Sequence, residues 1–389
     1  TTHSNPTAFA MTGGGAYCSG AAGSTVGLNG SQAGVNYGLY NGATLVTTVA
    51  GTGSAITFGT YTATGTYTVL ATNPSTSCTA AMSSSAVISI NALPTVYSMG
   101  GGGNICSGAT GLTVTLSGSN TGINYTLFRD GIAIAILPGT GTTLTYGPYT
   151  TAGLYTILAT NATTGCNVAM SGSTTINVNP LPTTYSVTGG GNYCAGSTGV
   201  AIGLSGSQTG VNYQLYRGAT LVTTVNGTSS AITFGAQTVA GTYSVYATTT
   251  ATGCVNTMSG SASIGVNSLP TAYAVTGTGN YCAGGTGVAV GVASSEAGVT
   301  YNLYNGAALV GGAAGTGSAI SFGNYTTAAT YTVAAVNTST GCTSNMSGSA
   351  TVGINSLPTL YTVTSSGSGY CAGGAGIAVG LTGSDAGAS

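Results

Sequence analysis

The stretch NSLPTAYAVTGTGNYCAGGTGVAV, Asn267 to Val290, has a near copy in NPLPTTYSVTGGGNYCAGSTGVAI, Asn179 to Ile202. The Leu-Pro-Thr marker within it recurs every 88 residues, at Leu93, Leu181, Leu269 and Leu357. This period exceeds the unit of a solenoid, which is about 20 to 50 residues, and suits a small domain with its own core. We therefore predict tandem repeats at residues 1–93, 94–181, 182–269, 270–357 and 358–389, the last one truncated.

The third repeat shows how one unit is built. Apolar residues alternate with polar ones in short stretches, which is typical of half-buried strands. Gly, Ser, Thr and Asn separate these stretches, as turns require, and no segment has helical periodicity. The stretches are Tyr185–Thr188, Val200–Leu204, Val211–Leu215, Leu221–Val225, Ile232–Phe234, Tyr243–Ala247 and Ile264–Val266. The sequence thus predicts an all-β protein of tandem immunoglobulin-like antiparallel β-sandwiches, with about seven strands per 88-residue repeat.

A tyrosine opens the sixth predicted strand of each complete repeat, directly after a small-residue turn. This position is similar to the tyrosine corner of immunoglobulin-like sandwiches, whose hydroxyl bonds back to nearby backbone. A half-buried strand tyrosine without that bond is the alternative. The chain departs from antibody domains because it has no tryptophan and no cysteine two residues after the corner. The corner candidates are Tyr67, Tyr155, Tyr243 and Tyr331.

Ionised side chains are almost absent, which excludes several functional classes. The 389 residues include two Lys and Arg, three Asp and Glu, and one His. Acid–base or nucleophilic catalysis needs a positioned pair of such groups, so we predict neither an enzyme nor a cofactor. Calcium sites need several carboxylates, and nucleic acid needs many cations, so neither is expected as a partner. No apolar run is long enough to predict a membrane span.

One acceptor position recurs within a Gly/Ser turn of every repeat. Catalysis by the two carboxylates at this position is disfavoured, because amides occupy it elsewhere. We predict instead that the side chain caps its own turn. The residues are Gln32, Asn120, Gln208, Glu296 and Asp385.

Nine cysteines indicate a disulfide framework and an oxidising compartment. A metal site is disfavoured because there is no Cys-x-x-Cys and only one histidine. We favour pairing within each repeat, and the alternative is pairing across a boundary, such as Cys78 with Cys106. The second would staple neighbouring repeats into a rod. The expected pairs are Cys18 with Cys78, Cys106 with Cys166, Cys194 with Cys254 and Cys282 with Cys342, which leaves Cys371 unpaired.

Two features of the ends lead to expectations about processing. The segment TTHS before the first repeat suggests a mature N-terminus from which an export signal has been removed. The sequence stops in mid-repeat at Ser389, so we expect the native chain to continue. Because few charges keep copies apart, we also expect lateral or end-to-end association with copies of itself.

The pattern YCxGxxGVxxGLxGSxxGVNYxLYxGA, followed by GTYTV, TGC, MSGSA and LPT, carries a family resemblance. It resembles the immunoglobulin-like repeats of large Bacteroidota surface proteins secreted by the type IX system. The resemblance covers the whole chain and is weakest in the second repeat. It implies export to the cell surface, where the repeats would form a stalk or fibre shaft.

We therefore expect an extracellular structural protein at the cell surface, forming a filament, sheath or adhesin shaft. The alternative is a glycan-binding adhesin, because strand tyrosines such as Tyr216 and Tyr304 could stack on sugar rings. They alternate out of phase with Tyr213 and Tyr301, so one of the two sets is expected to face outward. Outward tyrosines could equally pack against a neighbouring chain.

Overall fold

The computed structural model describes residues 2–387. Each complete predicted repeat contains nine strands in the same order. Those of repeat 1 are β1 (Met11–Gly13), β2 (Gly15–Cys18), β3 (Ser24–Leu28), β4 (Asn36–Asn41), β5 (Thr44–Ala50), β6 (Ile56–Tyr61), β7 (Gly65–Thr72), β8 (Thr79–Ala81) and β9 (Ala86–Asn91). Those of repeat 2 are β10 (Met99–Gly101), β11 (Gly103–Cys106), β12 (Leu112–Leu116), β13 (Ile123–Arg129), β14 (Ile132–Pro138), β15 (Leu144–Tyr149), β16 (Gly153–Asn161), β17 (Asn167–Ala169) and β18 (Thr174–Asn179).

The later repeats follow the same plan. The strands of repeat 3 are β19 (Val187–Gly189), β20 (Gly191–Cys194), β21 (Val200–Leu204), β22 (Val211–Arg217), β23 (Thr220–Asn226), β24 (Ile232–Gln237), β25 (Gly241–Thr249), β26 (Val255–Thr257) and β27 (Ala262–Asn267). Those of repeat 4 are β28 (Val275–Thr276), β29 (Gly279–Cys282), β30 (Val288–Val292), β31 (Val299–Asn305), β32 (Ala308–Ala314), β33 (Ile320–Tyr325), β34 (Ala329–Asn337), β35 (Thr343–Asn345) and β36 (Ala350–Asn355). The fifth repeat contributes an antiparallel pair, β37 (Val363–Ser365) and β38 (Val379–Leu381).

Two sheets form each complete repeat, and repeat 1 shows their order. A three-stranded sheet has the order β1-β3-β6, and a six-stranded sheet has the order β2-β9-β7-β4-β5, with β8 paired to β7. Strand β2 is parallel to β9, and the other pairs are antiparallel. This confirms the prediction of an all-β immunoglobulin-like sandwich.

Each complete repeat has nine strands rather than the predicted seven because two short strands were not predicted. All seven predicted stretches of repeat 3 overlap strands, whereas β20 and β26 lie outside them. The segment that opens a repeat contributes to both sheets: in repeat 1, β1 pairs with β3, and β2 pairs with β9. The chain changes sheets at Gly13, where φ is +82° and a Cβ would lie 1.9 Å from the carbonyl oxygen of Thr25. Only glycine fits that crossing.

Alternating side chains on the facing sheets form the cores. In β7, Tyr67, Val69 and Ala71 are buried, while the residues between them are more exposed. Four core clusters of this kind are present, one in each complete predicted repeat. The chain also divides into two compact units, one ending at Leu181 and the other beginning at Pro182.

Candidate functional site: the ends of the repeats

The acceptor side chains of the Gly/Ser turn bind the threonine of the Pro-Thr segment that enters the repeat. Gln32 Oε1 accepts a hydrogen bond from the backbone N–H of Thr7 at 2.6 Å. Gln208 does the same for Thr183 at 2.6 Å, and Glu296 for Thr271 at 3.2 Å. The sequence-based prediction that these residues cap their own turn is therefore wrong about the partner. In repeats 1, 3 and 4 the bond instead ties the segment that enters the repeat to the loop between its third and fourth strands.

Asp385 makes the equivalent contact in the fifth repeat. Its Oδ2 accepts from the N–H of Thr359 at 2.6 Å, and its Oδ1 accepts from the Tyr361 hydroxyl at 2.8 Å. These two hydrogen bonds, the backbone one first, lower the pKa of the Asp385 carboxyl because they stabilise its charged form. The carboxylate thus has a structural role.

Repeat 2 departs from this arrangement at Asn120. Its Oδ1 is buried and lacks a hydrogen-bond partner within residues 2–387. Asparagine is one methylene shorter than glutamine, and a small cavity of about 180 Å³ lies between the Leu93-Pro94-Thr95 segment and Asn120. A buried acceptor without a partner is costly. Repeat 2 therefore has a weaker attachment at this point than repeats 1, 3 and 4.

A buried tyrosine on the fourth strand of each complete repeat forms a hydrogen bond with the backbone of the same loop. The Tyr213 hydroxyl accepts a hydrogen bond from the backbone N–H of Gln208 at 2.9 Å, and the tyrosine is fully buried. Burial raises the pKa of Tyr213, and this hydrogen bond partly offsets the rise. Equivalent bonds at 2.8 to 2.9 Å are made by Tyr37, Tyr125 and Tyr301.

The disulfides connect one predicted repeat to the next. Cys18 in repeat 1 is bonded to Cys166 in repeat 2, and Cys194 in repeat 3 is bonded to Cys342 in repeat 4. Each pair is separated by 148 residues. Cys106 and Cys254 are also disulfide-bonded. The prediction of pairing within each repeat is therefore wrong, whereas the alternative of pairing across a boundary is correct in kind, although its example, Cys78 with Cys106, is not.

Sheet topology explains this connectivity. Cys18 ends β2 and lies opposite Asn91, the last residue of the parallel strand β9, so it stands where the chain leaves repeat 1. Cys166 lies in the loop between β16 and β17, where the Ala162 N–H donates to the Gly122 carbonyl at 3.0 Å. Gly122 directly precedes β13. This is the end at which the chain enters repeat 2, because the cavity beside Thr95 is also lined by Asn161.

Three cysteines of the described chain are free thiols. Cys78 is partly exposed, whereas Cys282 and Cys371 are exposed. Cys78 and Cys282 were predicted to be in disulfides, and this too is wrong. Cys78 occupies the same loop position as Cys166, and Cys282 the same strand end as Cys18. By contrast, Cys166, Cys254 and Cys342 are completely buried.

The corner tyrosines each make one local hydrogen bond. The Tyr243 hydroxyl donates to the Val239 carbonyl at 2.7 Å, and the Tyr67 hydroxyl donates to the Ala63 carbonyl at 2.9 Å. Tyr155 and Tyr331 make the same bond four residues back, at 2.8 and 3.1 Å. This is the bond that a tyrosine corner requires.

The two out-of-phase sets of tyrosines lie on opposite faces of the larger sheet. Tyr213 and Tyr301 are fully buried in their cores. Tyr216 and Tyr304 are partly exposed on the outer face.

Between residues 2 and 387, no cluster of three or more His, Cys, Asp and Glu side chains could hold a metal ion. In the same range, no helix is long and apolar enough to cross a membrane.

Comparison with known proteins finds similarity to immunoglobulin-like domains. A family model described as "Ig-like domain CHU_C associated" matches residues 270–355. No curated protein sequence matches. Similar solved structures include three N-terminal domains of the bacteriophage RB49 highly immunogenic outer capsid protein, with 15% identity over 67% of this chain and 99% of that one and a TM-score of 0.30. The D1–D4 ectodomain fragment of ICAM-5 has 14% identity over 88% and 99% of the two chains and a TM-score of 0.36.

A third similar structure is the fragment with the N-terminal eight Ig domains of the Down syndrome cell adhesion molecule. Identity is 14% over 91% of this chain and 49% of that one, with a TM-score of 0.33. The fold assignment rests on strand order and pairing, which are independent of these overall superpositions. Tandem Ig-like domains with disulfides are typical of extracellular structural or adhesive proteins.

Proposed function

We propose that this protein is the shaft of a surface filament, sheath or adhesin, exported through the type IX system of a Bacteroidota cell. The observation that carries the proposal is the bonding of Cys18 to Cys166 and of Cys194 to Cys342. A disulfide inside a domain would stabilise only that domain. A disulfide between successive domains also holds their connection, which is what a shaft under tension needs.

The bonds also provide a short covalent path for force. Tension that reaches Cys18 passes directly to Cys166, so the intervening chain of repeats 1 and 2 bears no load. From Cys166 the path follows the chain through β17, β18, β19 and β20 to Cys194, and then crosses to Cys342. Most strands of every repeat are thereby outside the path. Their cores need not resist the full pulling force.

Single-molecule force spectroscopy on the full chain tests this shaft function. The separation of 148 residues, at about 3.3 to 3.6 Å per extended residue, corresponds to roughly 500 Å of chain hidden behind each bond. Reducing agent should therefore add about 500 Å of extension per disulfide. Bonds inside repeats would hide only about 210 Å each, on the same scale. Equal extension with and without reductant would contradict the proposal.

Assembly with copies of the same chain is the second part of this proposal. Strand β5 and its equivalents β14, β23 and β32 are edge strands of the larger sheets. They contain no ionised residue, and they expose Leu45, Ile136, Leu221 and Leu309. Uncharged edge strands are prone to pair with other strands. The edges therefore favour lateral pairing between copies.

Light scattering and electron microscopy across a salt series test assembly. Association should vary little with salt because there are few charges to screen. Filaments should show an axial repeat of roughly 35 to 40 Å, the length expected of one such domain. A Thr48→Lys change would place a charge on the β5 edge, and it should reduce assembly without altering the disulfides. Monodisperse wild-type chains at high concentration would exclude the filament and leave an isolated adhesin shaft.

A further inference from the structure

Repeat 3 carries a feature on its outer surface that the described part of the other repeats, within residues 2–387, lacks. The rings of Tyr216 and Tyr246 meet edge to face, with centroids 5.3 Å apart and planes at 87°. Tyr216 lies on β22 and Tyr246 on the adjacent strand β25, where Tyr246 is paired with Gln214. Tyr246 is 36% exposed. The two rings therefore form an open corner on the outer face of the sheet.

Hydrogen-bonding groups surround this corner. Tyr216 and Tyr246 line a cavity of about 410 Å³ together with Gln214, Thr248 and Val255. The glutamine amide both donates and accepts, and the threonine hydroxyl does the same. No ionised side chain is among the lining residues. The stem of the neighbouring Arg217 lies against Gly241 instead.

The Tyr216–Tyr246 ring pair is not required by the fold. The residue equivalent to Tyr246 is Leu70 in repeat 1, Leu158 in repeat 2 and Ala334 in repeat 4, and those repeats form the same sheet. Among residues 2–387, the other ring pairs within 5.4 Å each contain a tyrosine-corner residue, Tyr67, Tyr155 or Tyr331. Its partner is the tyrosine that ends β6, β15 or β33. Packing of the sheet therefore does not explain the second outward ring in repeat 3.

We propose that this corner, the Tyr216–Tyr246 site, binds a neutral oligosaccharide. A tyrosine combines a flat apolar ring with a polar hydroxyl, which suits the apolar face and the hydroxyl rim of a sugar ring. A sugar ring would stack on the face of one tyrosine and contact the perpendicular ring at its side. Gln214 and Thr248 supply the few polar groups that fix orientation in such sites. Because the lining is uncharged, neutral sugars fit it better than acidic ones. The site is independent of the shaft function.

Glycan binding by the full chain tests the proposal. The probes are cellohexaose, laminarihexaose and mannohexaose, with polygalacturonate as an acidic comparison, measured by calorimetry and saturation-transfer NMR. Tyr246→Leu places in repeat 3 the residue found in repeats 1 and 2, so the fold should be kept. It should weaken binding of a neutral hexaose about tenfold or more, as should Tyr216→Ala. Tyr304→Ala in repeat 4 is the matched control and should leave the affinity unchanged.

Three results would overturn the proposal. They are no binding of any neutral hexaose, equal affinity for the wild type and Tyr246→Leu, or equal losses in Tyr246→Leu and Tyr304→Ala. If Tyr246→Leu instead abolishes self-association while glycan binding is absent, the corner contacts another copy of the chain. Circular dichroism of each variant shows that a loss of binding is not a loss of fold. An absence of glycan binding would not alter the extension on reduction that the shaft function predicts in force spectroscopy.

Discussion

Cys18 and Cys166 lie in successive predicted repeats, 148 positions apart in sequence, yet their Cα atoms are 5.5 Å apart and their sulfurs are bonded. The bond joins the end of β2, beside the last strand of its own repeat, to a loop at the entrance of the next repeat. The same relationship recurs between Cys194 and Cys342. The disulfide therefore joins the end at which the chain leaves one repeat to the end at which it enters the next.

Cystine mapping should recover this connectivity directly. Digestion of the non-reduced protein with pepsin should yield linked peptides that contain Cys18 with Cys166 and Cys194 with Cys342. Iodoacetamide under denaturing, non-reducing conditions should label Cys78, Cys282 and Cys371, the three free thiols. Cys18→Ser should make Cys166 reactive while the Cys194–Cys342 peptide persists. A linked peptide of Cys18 with Cys78 would contradict the structure.

Asn120→Gln should stabilise the first unit. The longer side chain can reach the N–H of Thr95, as Gln208 reaches that of Thr183 at 2.6 Å. The free energy of unfolding should rise by about 1 kcal/mol, the usual net value of such a bond. Gln208→Asn in repeat 3 is the converse control and should lose a similar amount. Hydrogen exchange at the Thr95 amide is the local readout, and an unchanged rate would show that the bond has not formed.

Gly227→Ala should be destabilising because of a close approach to the same loop. A Cβ at this position would lie 1.9 Å from the carbonyl oxygen of Gln208. The loop must move, at an expected loss of about 1 to 3 kcal/mol in the free energy of unfolding. Gly279→Ala is the control because the nearest atom to its Cβ is 3.8 Å away. Urea denaturation compares the two variants, and equal midpoints would refute the steric argument.

Stability should fall in alkali because buried tyrosines ionise on unfolding. Burial raises the pKa of Tyr125, Tyr213 and Tyr301 above the ordinary value of 10.0. Well below pH 10 both states keep the proton, so this contribution is fully present. Above pH 10 the unfolded state releases its protons first, so stability decreases as pH rises toward the higher folded pKa values.

Urea midpoints at pH 7, 8.5 and 11.5 measure this dependence. The midpoint should be similar at pH 7 and 8.5 and lower at pH 11.5. Absorbance near 295 nm follows phenolate formation, and it should lag in the folded protein relative to the protein in denaturant. Identical titration of folded and denatured chains would show that these hydroxyls are not protected. Tyr213→Phe should reduce the alkaline loss, because the group that titrates is removed.

The period of 88 residues and the alternating stretches determined the repeat pattern and the fold class from sequence alone. These features are local, since strand alternation and turn residues depend on near neighbours. Tyr67 and its equivalents could likewise be recognised from their place after a turn. The acceptor role at Gln32 was predicted correctly in its chemistry, but its partner Thr7 was not. That bond spans 25 residues and is fixed only by how the entering segment packs.

Tertiary structure alone decided the disulfide partners and the Tyr216–Tyr246 site. Spacing shows two cysteines per repeat, but it does not show that β2 runs parallel to β9 and so carries Cys18 to the end where the chain leaves the repeat. The short strands β2 and β8 were missed because three or four residues give too little alternation to detect. Tyr216 was identified as a candidate for an outward position, whereas Tyr246 became its partner only through the register of β22 with β25. Sequence determines which residues alternate, and strand pairing determines which of them meet.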